Sequence, residues 1–414
     1  QMCIRDRVIR VAVIGGGPSG LMAADVISGA GAAVTIFERM PSVGRKFLMA
    51  GRGGLNLTHS ENLDVFLGRY GAAEQALQTA IEALPPDSIR EWAKGLGEET
   101  FIGSSGRVFP SAMKASPLLR AWLRRLAERS VTVKTRHRWR GWDARGDLIF
   151  DTPDGVVSSR AEATVLALGG GSWARLGSDG GFVEILRGIG VEVTPLRAAN
   201  CGFVAGWSRV FRERFQGTPL KRIALSFDGQ CVRGEALITA AGIEGGAIYG
   251  LSAPLREHIA HHGRATVVID LRPDLDEAAL LNALQVPRKK QSLSTFLRKV
   301  ARLPPVAVGL LHEAALSTSH PLGQLSPDEI ARLIKAVPIQ LTAPANMDRA
   351  ISTAGGVAFS EIDADYMLRR RPGVFAAGEM LDWEAPTGGY LLQASMSTGA
   401  AAGHGVVRWL QSKS

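Results

Sequence analysis

Three glycines at positions 15, 17 and 20, with the acid Glu38 standing 18 residues beyond the last, have types and spacing that carry chemistry. Gly15 admits a tight turn, Gly17 lets backbone amides approach an anion, and Gly20 allows a helix to pack closely on a strand. A helix that starts here offers free N–H groups and the positive end of its dipole, which suits a pyrophosphate. Glu38 accepts hydrogen bonds from ribose hydroxyls, and its charge disfavours a 2′-phosphate. Ser19 and Arg39 flank these positions and join the same candidate site. The supporting elements are legible around them. Residues 8–14 (VIRVAVI) form a β-branched run suited to a strand buried on both faces, residues 21–30 are helical, and residues 33–37 form a second strand. Strand, G-x-G-x-x-G, helix, strand and acid in this order predict a dinucleotide site.

The end of the chain chooses the dinucleotide. Residues 373–377 (GVFAA) read as a late strand, followed by Gly378, Glu379, Gly388, Gly389, Tyr390 and Leu391, then by a small-residue stretch over 397–405. In flavoproteins built on a single nucleotide fold, such a returning strand brings an acid to the ribityl–pyrophosphate part of FAD. The helix after it points its N-terminus at the flavin, where it stabilises negative charge on the reduced ring. A nicotinamide dehydrogenase has no need of this second segment, so the expected cofactor is FAD. Lys46 and Asn56 follow the second strand and are expected near the pyrophosphate and flavin. Trp139 is expected to meet adenine through its backbone, and Tyr390 to sit by the ring as a donor or lid.

Several further stretches, in chain order, carry a specific likeness: GRKFLMAGRGGLNLT at 44–58, GRVFP at 106–110, ALGGG at 167–171, STAGGV at 352–357 and AGEMLDWEAPTGGYLLQA at 377–394. The chain resembles the BaiN-like, aminoacetone-oxidase-like bacterial FAD-dependent oxidoreductases over nearly its whole length. It departs from their common pattern at Gly54-Leu55-Asn56, where many members have Arg-Cys-Asn, and at residues 242–246, where a Ser-Gly-Pro turn is usual. The resemblance implies an α/β fold: a Rossmann-like FAD-binding domain of the glutathione-reductase type, interrupted by an inserted β-barrel and a small helical domain. The expected boundaries are 8–195 for the first part of the FAD domain, 196–273 for the barrel, 274–336 for the helical domain and 337–414 for the second part. Two activities are implied, oxidation of a small amine by O₂ and NAD(P)H-linked reduction of an unsaturated carbonyl compound. NAD(P)H is therefore the candidate electron donor. A non-catalytic flavin-binding module, associated with RNA, is the alternative. No linear spacing nominates a catalytic residue, because the flavin itself performs the hydride chemistry.

Composition sets the outer limits. The chain is 46% hydrophobic and 21% charged over 414 residues, too apolar for a disordered protein and long enough for several cores. No apolar run approaches the roughly 18 residues of a membrane span. Three cysteines without a close pair exclude a disulfide framework and, with no signal-peptide pattern, point to the cytoplasm. Residues 1–7 read as a tail or a gene-model artefact. The expected partner is a small-molecule substrate, with neither nucleic acid nor membrane, and the oligomeric state is left open. Three motifs invite a second reading. Residues 169–174 fit G-x-G-x-x-A, but Gly177, Gly180 and Gly181 interrupt the helix that a second nucleotide fold needs, so a crossover loop is expected. Glu257, His258, His261 and His262 fall at helical spacing, yet no further ligand completes a metal site, and none is expected. The arginine-rich run from Arg120 to Arg140, with Trp122 and Trp139 interleaved, reads as the wet face of an amphipathic helix rather than a nucleic-acid surface.

Overall fold

The computed structural model describes residues 9–317 and 320–413, so the tail at residues 1–7 lies outside the described residues. The chain forms two compact units, one running to Arg197 and resuming at Ile351, the other spanning Ala198–Ala350. Among the described residues no helix is long and apolar enough to cross a membrane.

The first unit is built on a parallel sheet. Strand β1 (Arg10–Ile14) leads into helix α1 (Pro18–Gly29), strand β2 (Ala33–Glu38) and helix α2 (Arg45–Ala50). The sheet runs Val374–Ala376, Ala163–Leu166, β1, β2, Thr132–Thr135, all in parallel. Val11, Ala12, Val13 and Ile14 are all buried, as expected for a strand covered on both faces. The 23-residue C-terminal helix Tyr390–Ser412 packs along α1. A Cβ on Gly399 would stand 2.3 Å from the Ser19 carbonyl oxygen, and one on Gly403 would stand 3.1 Å from that of Ala23. The small residues of 397–405 thus serve helix-to-helix contact. None of residues 397–405 borders the cavity of this unit.

The arginine-rich run is partly spent inside this unit. Asp25, on α1 and 6% exposed, accepts from the indoles of Trp92 (3.3 Å) and Trp122 (3.0 Å). It also pairs with Arg125 and with Arg129 (2.6 Å). Both arginines stand on or at the end of the helix Ala115–Glu128. The sequence reading placed them on a wet face. A buried carboxylate on the neighbouring helix captures them, because an unpaired charge there would be costly.

The second unit is a closed six-stranded barrel, in the order Phe203–Ala205, Gly242–Glu244, Gln230–Ile238, Pro219–Phe227, Ala265–Asp270, Val337–Pro344. Four helices follow the fifth strand in the chain, from Glu277–Leu284 to Pro327–Lys335. The last begins in a full capping box: Ser326 Oγ accepts from the Glu329 amide, and Glu329 accepts in return from the Ser326 amide at 2.7 Å. The strand Val337–Pro344 corrects the sequence reading, which returned the chain to the first unit at residue 337. It pairs antiparallel with Ala265–Asp270 and with Phe203–Ala205 and completes the barrel. Its burial alternates, with Val337, Ile339 and Leu341 inside, which is the period of a strand with one wet face.

Candidate functional site

A cavity of about 600 Å³ opens in the first unit at the carboxyl ends of β1, β2 and Ala163–Leu166, where ligands sit in open α/β sheets. Ile14–Ser19, Phe37–Arg39, Ala167–Gly169 and Ala377 all border it. The three fingerprint glycines divide their work. Gly15 has φ +108°, and a Cβ there would stand 2.2 Å from the Ala167 carbonyl oxygen. A Cβ on Gly20 would stand 2.0 Å from the Gly15 carbonyl oxygen, so Gly20 serves packing and does not border the cavity. Gly17, the N-cap of α1, has no atom within 4 Å of its would-be Cβ. The backbone there leaves room for a group that is not protein.

Glu38 is buried at the end of β2. Its two oxygens accept from the amides of Gly16 (2.9 Å) and Met40 (2.8 Å). Burial pushes its pKa up, against the pull of those amides and of Arg39 and Arg45. Arg39 pairs with Asp179, and Arg138 stands 3.8 Å from the same carboxylate. Burial opposes the charge of Asp179, but the hydrogen bond from Arg39, the Gly181 amide and the two cations outweigh it and lower its pKa.

Further along the cavity, Lys46 on α2 donates to Glu379 (2.7 Å) and to Ser172 (3.0 Å). Glu379 also accepts from the amides of Thr353 (3.0 Å) and Gly170 (3.4 Å). The Thr353 hydroxyl accepts from the amides of Gly171 and Ser172, at 2.9 and 3.1 Å. This lattice ties together α2, the loop 169–172, the start of the strand Ser352–Val357 and the helical turn Gly378–Met380. The loop following Ala163–Leu166 carries only a three-residue helical turn, Ala174–Leu176, and lends Gly169, Trp173 and Leu176 to the cavity. It is a crossover.

Among the sequence-predicted residues, Gly15, Gly17, Ser19, Glu38, Arg39, Lys46, Asn56, Trp139, Glu379, Gly389 and Leu391 border the cavity, whereas Gly20, Gly378 and Tyr390 do not. Gly378 donates its amide to the Thr398 hydroxyl (3.0 Å) and lies against Ser19. Tyr390 turns its ring away and donates its hydroxyl to Glu61 at 2.6 Å. Tyr390, expected beside the flavin ring as a donor or lid, thus has no place on the cavity wall. Ser172, Thr353, Arg138 and Asp179 were not singled out. The first two lie in or beside glycine motifs whose side-chain partners only the fold supplies.

Among the described residues, four buried polar atoms of cavity-bordering residues have no partner: Ser19 Oγ, Arg45 Nε, Asn56 Oδ1 and Trp139 Nε1. Leaving such a group unbonded costs about 1–3 kcal/mol, so these atoms await ligand or solvent. The positive ends of α1 and of Tyr390–Ser412 open on the same space. Neither has a side-chain cap or an acid in its first turn. Uncapped helix ends, an open glycine, a buried acid at the end of β2 and polar atoms without a protein partner fit FAD. In the second unit, the rings of His258 and His262 stack at 4.2 Å. Among the described residues no group of three His, Cys, Asp or Glu side chains could hold a metal.

The sequence model described as HI0933-like protein Rossmann domain matches residues 9–405. The chain is 27% identical over 408 residues to a 3-dehydro-bile acid delta(4,6)-reductase of Clostridium scindens, covering 95% of this chain and 98% of the relative. It is 25% identical over 409 residues to a ribosomal RNA dihydrouridine synthase of Escherichia coli, with 95% and 97% covered. Among solved structures, the 3-ketosteroid delta1-dehydrogenase of Sterolibacterium denitrificans superposes with a TM-score of 0.56 at 14% identity, covering 96% of this chain and 99% of that one. A flavocytochrome c3 fumarate reductase gives a TM-score of 0.53 at 16% identity, with 98% and 79% covered. These likenesses establish a Rossmann-type FAD-binding fold.

Proposed function

The chain belongs to the HI0933-like family of FAD-dependent oxidoreductases, and we propose that it reduces a carbon–carbon double bond conjugated to a carbonyl group in a small organic substrate. NAD(P)H is the proposed electron donor. The observation that carries this reading is the uncapped N-terminus of Tyr390–Ser412 at the cavity. Its positive end favours negative charge beside it, as hydride uptake by a flavin requires. The printed names of two relatives, a delta(4,6)-reductase and a dihydrouridine synthase, support reduction as the direction of the reaction.

Bound FAD would supply a ring that accepts a hydride and passes it on. In this reading the chain's residues bind, orient and exclude water. The amides at the start of α1 would hold the phosphates and Glu38 the ribose hydroxyls. Glu379, steadied by Lys46 and Thr353, would meet the linking chain. Asn56 would present its unspent Oδ1 to the ring edge, while Leu391 and Leu392 would keep water from it. The test is anaerobic stopped-flow absorbance of the flavin-loaded protein. NADH or NADPH should bleach the visible flavin band, and a cyclic enone should restore it. Bleaching by aminoacetone alone, with recovery in air, would instead make it an amine oxidase.

A further inference from the structure

The side chain of Tyr390 lies behind the helix end that opens on the cavity. Its ring stacks on His59, with centroids 5.5 Å apart, and tilts against Phe66 at 4.9 Å. Its hydroxyl donates to Glu61 at 2.6 Å. Arg69 holds that carboxylate with two bonds, Nε to Oε1 at 3.1 Å and Nη2 to Oε2 at 2.8 Å. The carbonyl of Tyr390 accepts from the Tyr70 hydroxyl at 2.8 Å. Gly389, in the left-handed region at φ +112°, lies on the backbone of Thr58, 2.5 Å from its would-be Cβ. One turn on, Gln393 accepts from the Thr58 hydroxyl at 2.7 Å and donates to the Leu84 carbonyl at 2.5 Å. The first two turns are thus gripped on one side, while Leu391, Leu392 and Ser395 face the cavity on the other.

Electrostatics gives this grip a purpose. No Asp, Glu, Lys or Arg occurs in the helix before Arg408, so its own side chains do not compensate its N-terminal dipole. The nearby Glu61 carboxylate alone would offset part of that positive end, and Arg69 neutralises it. A helix terminus acts over about one turn, so its effect on a ligand depends on where that turn is held.

We propose that Tyr390, Glu61 and Arg69 form a positioning clamp that fixes the N-terminal turn of Tyr390–Ser412 against the flavin and thereby sets its reduction potential. The proposal rests on FAD occupying the cavity. It makes Tyr390 a positioning residue, since its side chain touches neither substrate nor cofactor.

The experiment uses the full chain loaded with FAD. Tyr390→Phe keeps the stacked ring and deletes the bond to Glu61; Glu61→Gln keeps an acceptor for the hydroxyl and deletes the charge. The midpoint potential is read by anaerobic equilibration with a reference dye, alongside the dissociation constant of oxidised FAD. Tyr390→Phe should lower the potential and weaken reduced FAD relative to oxidised FAD by about three- to tenfold. Glu61→Gln should stay nearer the wild type than Glu61→Ala, which should match Tyr390→Phe. Should Tyr390→Phe purify without flavin, the ordering of the two Glu61 variants decides. An unchanged potential in Tyr390→Phe, with or without a lower melting temperature, would overturn the clamp while leaving the FAD site intact. Failure of the wild type to bind FAD would overturn the reading of the site and the clamp with it.

Discussion

Replacing Gly17 with valine should weaken FAD binding a hundredfold or more while leaving the apoprotein standing, whereas alanine at Gly20 should damage the fold. The local geometry separates the two. Gly17 sits at φ −84° and ψ −179°, extended backbone that valine adopts freely, and a Cβ there meets nothing within 4 Å. Valine is a poorer N-cap than glycine by about 1 kcal/mol. Restricting the unfolded chain returns about 0.4–1 kcal/mol, so the net change in stability is within about 0.5 kcal/mol. At Gly20 the new Cβ would lie 2.0 Å from the Gly15 carbonyl oxygen, 3.1 Å from Val13 and 3.2 Å from Ala167. Such overpacking costs about 1–3 kcal/mol or more. At about 2–4 °C per kcal/mol for a unit of this size, apo Gly17→Val should melt within about 2 °C of wild type and Gly20→Ala several degrees lower. The valine methyls would stand where the phosphates meet the α1 amides. Loss of two charge-assisted bonds, at about 1.5–3 kcal/mol each, weakens FAD binding a hundredfold or more. Titration of apoprotein with FAD, followed by flavin fluorescence, reads the binding, and calorimetry reads the melting. Binding by Gly17→Val within threefold of wild type would refute the assignment of this space to the pyrophosphate.

Asp25→Asn should lower stability by about 2–3 kcal/mol, because it leaves Arg125, Arg129 and two indoles around an amide that is itself half donor. Denaturant melts check this, and a loss under 0.5 kcal/mol would show the network to be ornamental. The pH dependence should single out Glu61. Burial opposes its charge, but the bonds from Arg69 and Tyr390 prevail and hold its pKa below the usual 4.5. A carboxylate depressed in this way contributes stability that is complete above the unfolded value and vanishes as pH falls through the folded one. The stability gap between wild type and Glu61→Gln should therefore be constant near neutrality and close below about pH 4.5. A gap that stays the same down to acid pH would show that the charge plays no part.

The fingerprint was legible in the sequence because all its parts are local. β1, the glycine turn, α1 and β2 follow one another without interruption, and the chemistry of each glycine depends on neighbours within that unit. The FAD choice was legible for a different reason: a strand ending in Gly-Glu so late in the chain serves no local structure. What the sequence left open were facings and partners. Gly389 and Leu391 reach the cavity while Tyr390, between them, points away, because successive positions at a helix start differ by about 100° in direction. Only the packed helix fixes which of them faces the ligand. Lys46 finds Glu379 across 333 residues of chain, and Thr353 finds the amides of Gly171 and Ser172, through a sheet whose strand order no spacing encodes. The strand at 337–344 closes the barrel instead of rejoining the parallel sheet. Its burial alternates as a strand with one wet face does, and only the fold says which sheet it enters. Composition and local spacing thus determined the ligand class, and tertiary packing decided which side chains meet it, because side-chain direction is set by what each element is pressed against.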